Sequence, residues 1–202
     1  TSDTWYLFYD DDARPVTVAI NGNDFYLGNL TDELPDSYVK GTIDGDKVSL
    51  PLTFLGYSDE ANNFVYFVPA YYEEKYVEEW GVNYTDYVVY PAFELDYDAE
   101  AKSLTNIEEY AAVFVGTNPV VGEFAGSWIN MYFEPTIKWI DPARADDPLK
   151  DPEFIAAYAN EEYGCDYIDM FLPSFTQGDF LLDPRRLSYV FYLDGEPMTF
   201  TT

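Results

Sequence analysis

Carboxylates carry most of the chemistry that this chain can offer. It has 38 Asp and Glu against ten Lys and Arg, and no His. Candidate acid pairs are Asp10, Asp11 and Asp12, Glu73 with Glu74, Glu78 with Glu79, and Asp96 with Asp98. Two carboxylates about 5–10 Å apart, one with a raised pKa, would suit glycoside hydrolysis. In so acidic a chain such proximity arises somewhere by chance, and a solvated acidic face is the plainer reading. Asp10, Asp11 and Asp12 also offer hard oxygen ligands for calcium, as do Asn21, Asn23 and Asp24. Asp96-x-Asp98-x-Glu100 imitates half of an EF-hand loop, but Ala101 stands where its glycine belongs and Ile107 where its bidentate glutamate belongs. It reads as a hairpin turn. Zinc would find no imidazole and a single thiol, Cys165.

Aromatic rings are the second resource. Tyr71, Tyr72, Tyr76, Trp80, Tyr84 and Tyr87 crowd together among glutamates, the candidate ligand-binding set. Ring faces pack on sugar CH groups while neighbouring carboxylates accept from hydroxyls. Trp5, Tyr6, Phe8 and Tyr9 form an earlier cluster, expected in the core.

Other functions are disfavoured by composition. A formal charge of −28 repels nucleic acid and anionic lipid. Without His there is no His-dependent triad, and Gly126-Ser127-Trp128 lacks the second glycine of a nucleophile elbow. Phosphate-binding glycine loops are missing. Cys165 lies among acids, which disfavour a thiolate. No apolar stretch reaches the roughly 20 residues that span a bilayer.

The elements that must hold these residues read as strands. Val16, Val18 and Ile20 alternate with Thr17 and Ala19, and Asn21-Gly22 then predicts a type I′ hairpin into Phe25–Leu27. Asp44-Gly45 predicts another between Tyr38–Ile43 and Lys47–Leu50. Phe64 to Val68 is apolar throughout, as expected of a strand covered on both faces. Tyr71 to Trp80 fits a short helix or an extended loop. Tyr87–Tyr97, Tyr110–Val115 and Ser127–Ile140 return to strand, with Pro91 marking an edge or bulge.

Three Asp-Pro pairs between Asp141 and Pro152 predict a semi-rigid linker. Beyond it, Glu153–Tyr163 suits a short helix with Asp151 as cap. Tyr167–Leu172, Leu187–Leu193 and Met198–Phe200 suit strands. The predicted fold is mainly β: an antiparallel β-sandwich or barrel-like N-terminal domain of hairpins over 1–140, a linker over 141–152, and a partial β-sandwich-like second domain over 153–202. The final hairpin ends early, which leaves an edge for a partner chain.

Pro35-Asp36-Ser37-Tyr38-Val39-Lys40-Gly41-Thr42-Ile43-Asp44-Gly45-Asp46-Lys47-Val48, with Pro51 and then Leu55-Gly56, resembles a hairpin of uncharacterised Bacteroidetes cell-surface lipoproteins. Phe93–Asp98 with Leu104-Thr105 resembles a second hairpin of that family. Leu182-Asp183-Pro184, Leu187-Ser188-Tyr189 and Tyr192–Glu196 are similar to the opening of its second domain. Thr53-Phe54 stand where the family has Gln-Tyr. The resemblance implies a β-rich, exported protein at the bacterial cell surface, with any lipid anchor outside this chain. It carries no catalytic motif.

The expected function is therefore non-enzymatic: a surface β protein that binds a glycan or a protein ligand. The alternatives are an assembly subunit joined by strand addition at the C-terminal edge, and a carboxylate-based glycoside hydrolase. No cofactor is expected beyond calcium at Asp10, Asp11 and Asp12.

Overall fold

Alternating side chains close the first part of the chain into a barrel. A computed structural model describes residues 3–9, 12–108, 110–124, 127–160, 165–182 and 187–197. The chain divides into two units, Thr1–Trp139 and Ile140–Thr202. In the first, the strands in chain order are β1 (Asp3–Tyr9), β2 (Asp12–Asn21), β3 (Asp24–Gly28), β4 (Tyr38–Asp44), β5 (Lys47–Pro51), β6 (Thr53–Ser58), β7 (Asn63–Val77), β8 (Val82–Val89), β9 (Ala92–Asp98), β10 (Ser103–Asn106), β11 (Ala111–Thr117), β12 (Trp128–Phe133) and β13 (Thr136–Lys138).

Eight of these close an antiparallel barrel in the order β1-β13-β10-β9-β5-β4-β3-β2. Every second residue points inward. Trp5, Leu7, Val16, Val18, Phe25, Leu27, Val39, Val48, Leu50, Phe93, Leu95, Leu104 and Ile137 fill it. Ile20, expected to continue the inward row, is exposed at the strand end. Gly41 is the one inward position of β4 that admits no side chain. A Cβ there would collide with the Ser49 carbonyl oxygen and lie 2.7 Å from Leu50 Cδ2.

Both predicted hairpins form, with the turn one residue later than expected. Asn21 pairs with Asp24 and Asp44 with Lys47, so Gly22-Asn23 and Gly45-Asp46 are the turn residues. In each, the first turn residue is a glycine with φ near +60° (61° and 64°) and the second is not left-handed. That is the II′ pattern rather than I′.

The second sheet is a half-barrel, β12-β11-β7-β6, with β8 lying beside β7 beyond the end of β6. Val65, Phe67, Ala111, Val113, Val115 and Tyr132 on its inner face join the barrel core. Val68, Ala70, Val89, Ala112 and Phe114 on its outer face form a separate cluster. The Tyr87–Tyr97 run proves to be two strands in two sheets. Pro91 has no N–H to continue a ladder, and the chain crosses there from β8 to β9. Tyr71 to Val77 is neither helix nor loop but the far half of β7.

In the second unit, a 3₁₀ turn at Pro142–Asp146 is capped by the Asp141 carboxylate, which accepts from Ala143 N–H at 2.9 Å. The segment after it is tied within the same unit: Lys150 N–H donates to Phe175 O, and Gln177 N–H to Pro148 O. β14 (Glu153–Asn160) pairs with β15 (Cys165–Phe171), and β16 (Tyr192–Leu193) with β17 (Glu196–Pro197). Of the helix expected over Glu153–Tyr163, the described part, Glu153–Asn160, is thus a strand. Its first residues, Phe154 and Ile155, are aromatic and β-branched, and the ladder with β15 outweighs the Asp-Pro start signal. Of the Leu187–Leu193 run only Tyr192 and Leu193 are in a ladder. Asp194-Gly195 forms the turn between β16 and β17, both with positive φ (52° and 86°) as in type I′. Met198–Phe200 and the C-terminal edge lie outside the described residues. Among the described residues, no helix is long and apolar enough to cross a membrane.

Candidate binding face

Strand parity divides the six candidate aromatics. Directly opposed residues of β7 and β8 share a face, and alternate residues change face. Tyr72 pairs with Tyr87 on the outer side, their ring centroids 5.2 Å apart at 60°. Tyr76, two turns of the pleat further along, keeps the same side and is 60 % exposed. Tyr84 pairs with Lys75 on the opposite side. There it meets Trp80 at 5.4 Å and Phe124 at 5.0 Å, and the Lys75 ammonium lies 5.7 Å from the Phe124 ring. Trp80 sits in the 78–81 turn, where Gly81 takes a φ of +64°. Tyr71 is half-buried, nearly parallel to Phe93 with centroids 5.8 Å apart, and its hydroxyl oxygen accepts from Glu94 N–H at 3.2 Å. Burial pushes its phenol pKa up. The six residues therefore do not converge on one groove.

What does converge is the outer face of the half-barrel. Tyr66 of β7, Tyr87 of β8 and Phe133 of β12 pack on the Val68–Ala70–Phe114 cluster. Around them Phe54 and Tyr57 of β6, Phe64 and Tyr72 of β7, and Trp128 and Met131 of β12 remain 39–54 % exposed. Phe64 touches Phe54 at 5.8 Å and Tyr57 at 5.6 Å, with interplanar angles of 65° and 76°. Tyr110 joins Tyr72 at 6.3 Å. Phe64 to Val68 was expected to be covered on both faces. Val65 and Phe67 are buried and so is Val68, but Phe64 is not. Of the predicted residues, Tyr72, Tyr76 and Tyr87 belong to this face. Phe54, Tyr57, Phe64, Trp128 and Met131 escaped the sequence reading because they come from three strands, and which of their residues share a face depends on how those strands pair.

The acids are dispersed. Asp96 is bonded by the Lys47 ammonium, a contact that raises the lysine's pKa. The Asp98 carboxylate caps its hairpin turn, accepting from Glu100 and Ala101 N–H groups at 2.9 and 2.8 Å. Asp24 is held below its usual carboxylate range by a 2.8 Å bond from Lys40. Glu73 lies opposite Asp86 across the β7–β8 ribbon, and Glu74 opposite Thr85. Of the calcium candidates, Asp12 is exposed and accepts from Ala13 N–H, while Asp10 and Asp11 lie outside the described residues. Among the described residues, no group of three or more acidic or thiol side chains is placed to hold a metal ion. The chain matches no protein-family model, no curated protein and no solved structure.

Proposed function

We propose that this chain is a non-enzymatic binding module of the bacterial cell surface whose ligand is a protein, taken up on the outer face of the half-barrel. The observation that carries the reading is the group of half-exposed large apolar side chains on that face, Phe54, Tyr57, Phe64, Tyr72, Trp128 and Met131. A contiguous apolar surface of this kind on a highly charged chain marks an interaction site. Aromatic residues and Met are enriched at the centres of protein interfaces. The surface setting comes from the resemblance of the Pro35–Pro51 hairpin and not from the fold.

Ring geometry favours a protein over a glycan. Sugar platforms are flat, whereas Phe64 stands at 65° to Phe54 and 76° to Tyr57. Tilted rings leave clefts for side chains. The glycan reading has one flat platform, Trp128 stacked on Phe114 at 21°. Two screens separate these ligands. A displayed random-peptide library is panned on the wild-type protein, with Phe54→Ala/Phe64→Ala/Tyr72→Ala as counter-selection, and a glycan array is run in parallel. Enriched peptides that discriminate against the triple variant support the reading. Glycan binding alone, or peptides indifferent to the triple variant, overturns it.

A further inference from the structure

Where the chain crosses from β8 to β9, the wall of the fold opens into a cleft of about 490 Å³ lined by Tyr71, Tyr90, Ala92, Glu94, Ile107 and Glu108. Its frame is held by the backbone. Tyr90 N–H donates to Pro69 O and Leu52 N–H to Pro91 O, each at 2.9 Å. Tyr71 leans on Phe93 and meets the Tyr90 ring edge to face, 4.7 Å away at 70°. Two rings at nearly a right angle make an aromatic corner, and Tyr90 remains 37 % exposed beside it. Ile107 adds an apolar wall.

The charge in this cleft is negative. Glu94 accepts from the Ser49 hydroxyl at 2.6 Å through one carboxylate oxygen, which leaves the other. Among the described residues neither Glu94 nor Glu108 is in an ion pair; the Lys47 ammonium, two residues along β5 from the partner of Glu94, is attracted to Glu94 but bonded to Asp96. Both carboxylates lie close enough to Tyr71 to disfavour its ionisation. The phenol oxygen accepts from Glu94 N–H, so its own O–H still has a bond to donate.

We infer that this cleft binds a small organic cation, an alkylated ammonium group. Its methyl groups would lie against the Tyr71–Tyr90 corner and Ile107, with its charge facing Glu94 and Glu108. The ring quadrupole attracts such a cation, and apolar walls suit its weakly hydrated surface. A bare metal ion would find two carboxylates and otherwise aromatic and aliphatic walls, a poor set for a hard cation. The inference is independent of the outer-face reading, because Tyr71 and Tyr84 occupy the opposite side of β7–β8 from Tyr72.

The test is a titration of each probe with the whole protein, followed by NMR through the shifts and line widths of the probe's methyl protons. The probes are choline and its uncharged isostere 3,3-dimethylbutan-1-ol. Glycerophosphocholine and a trimethyl-lysine amide distinguish a lipid headgroup from a protein side chain as the natural source. The expected result is saturable binding of choline or the lysine amide with a dissociation constant on the order of 1–10 mM. The isostere should bind at least about tenfold more weakly, and Glu108→Gln and Tyr90→Ala should each weaken binding about fivefold or more. Melting curves of both variants verify that they fold. Equal binding of the uncharged isostere, variants that bind like wild type, or no saturation by any cation at about 50 mM would overturn the proposal.

Discussion

The Tyr132 hydroxyl of β12 donates to the Leu30 carbonyl oxygen, joining the half-barrel to the loop that leaves β3 of the barrel. Both residues are almost wholly buried. The Tyr132 ring also meets Tyr9 edge to face at 4.9 Å. This bond explains how one core serves two sheets: a polar group at the seam is satisfied from across it. Tyr132→Phe leaves the Leu30 carbonyl without that donor. The expected cost is about 1–3 kcal/mol, read from urea denaturation at neutral pH.

The same residue makes the fold sensitive to alkali. Burial pushes the Tyr132 pKa up to about 12. Below pH ~10 the phenol is neutral in both the folded and unfolded chain, so nothing is lost. As the pH rises from ~10 to ~12 the unfolded phenol ionises while the folded one stays protonated, and stability falls by about 2–3 kcal/mol. Burial raises the Tyr6 and Tyr71 pKa values too, which adds in the same direction. Denaturation midpoints at about pH 9 and about pH 11.5 should differ more in the wild type than in Tyr132→Phe. A variant with the full wild-type alkaline loss would refute the assignment to Tyr132.

Arg14 and its partner should be unequal. The Arg14 side chain is 14 % exposed, and its Nε–H donates to Asn29 O at 2.6 Å, whereas Asp32, 2.7 Å from the guanidinium, is 95 % exposed. Arg14→Met removes a charged donor from a backbone carbonyl and should cost about 1–3 kcal/mol. Asp32→Asn ends a solvent-screened ion pair and should cost less than about 0.5 kcal/mol. Equal losses in thermal melts would mean that the ion pair, not the carbonyl bond, holds the loop.

Gly41→Ala should destabilise the barrel by about 1–3 kcal/mol, because β4 and β5 must part to admit the methyl group. Gly45→Ala meets no neighbour and is penalised only by its left-handed φ of +64°, at about 1 kcal/mol. The ordering of the two urea midpoints checks the close approach at Gly41.

Local rules made the barrel legible. The alternation of Val16 and Val18 announced an inward row, and Asn-Gly and Asp-Gly announced the hairpins. The one-residue shift onto Gly22-Asn23 and Gly45-Asp46 was not legible, since either placement keeps a glycine in the turn. Nor was the sheet change at Pro91, because it shows only once β8 has folded back on β7 while β9 pairs with β5 and β10. Glu153–Asn160 misled because the Asp151-Pro152 start signal says nothing of the ladder that this segment makes with Cys165–Phe171. The candidate site was legible only in part. Tyr72, Tyr76 and Tyr87 share the exposed face, while Tyr71 and Tyr84 alternate away from it. The other rings of that face, Phe54, Phe64 and Trp128, come together only when β6, β7, β11 and β12 are side by side.

The outer face is the centre of the functional account, and Phe64 stands in the middle of its ring cluster, touching both Phe54 and Tyr57. Being 54 % exposed, its side chain contributes little to folding. The deciding measurement is the dissociation constant of a panned peptide for the wild type and for Phe64→Ala, with melting temperatures alongside. The account predicts at least about tenfold weaker binding by a variant that melts within a few degrees of the wild type. Equal affinities would contradict it.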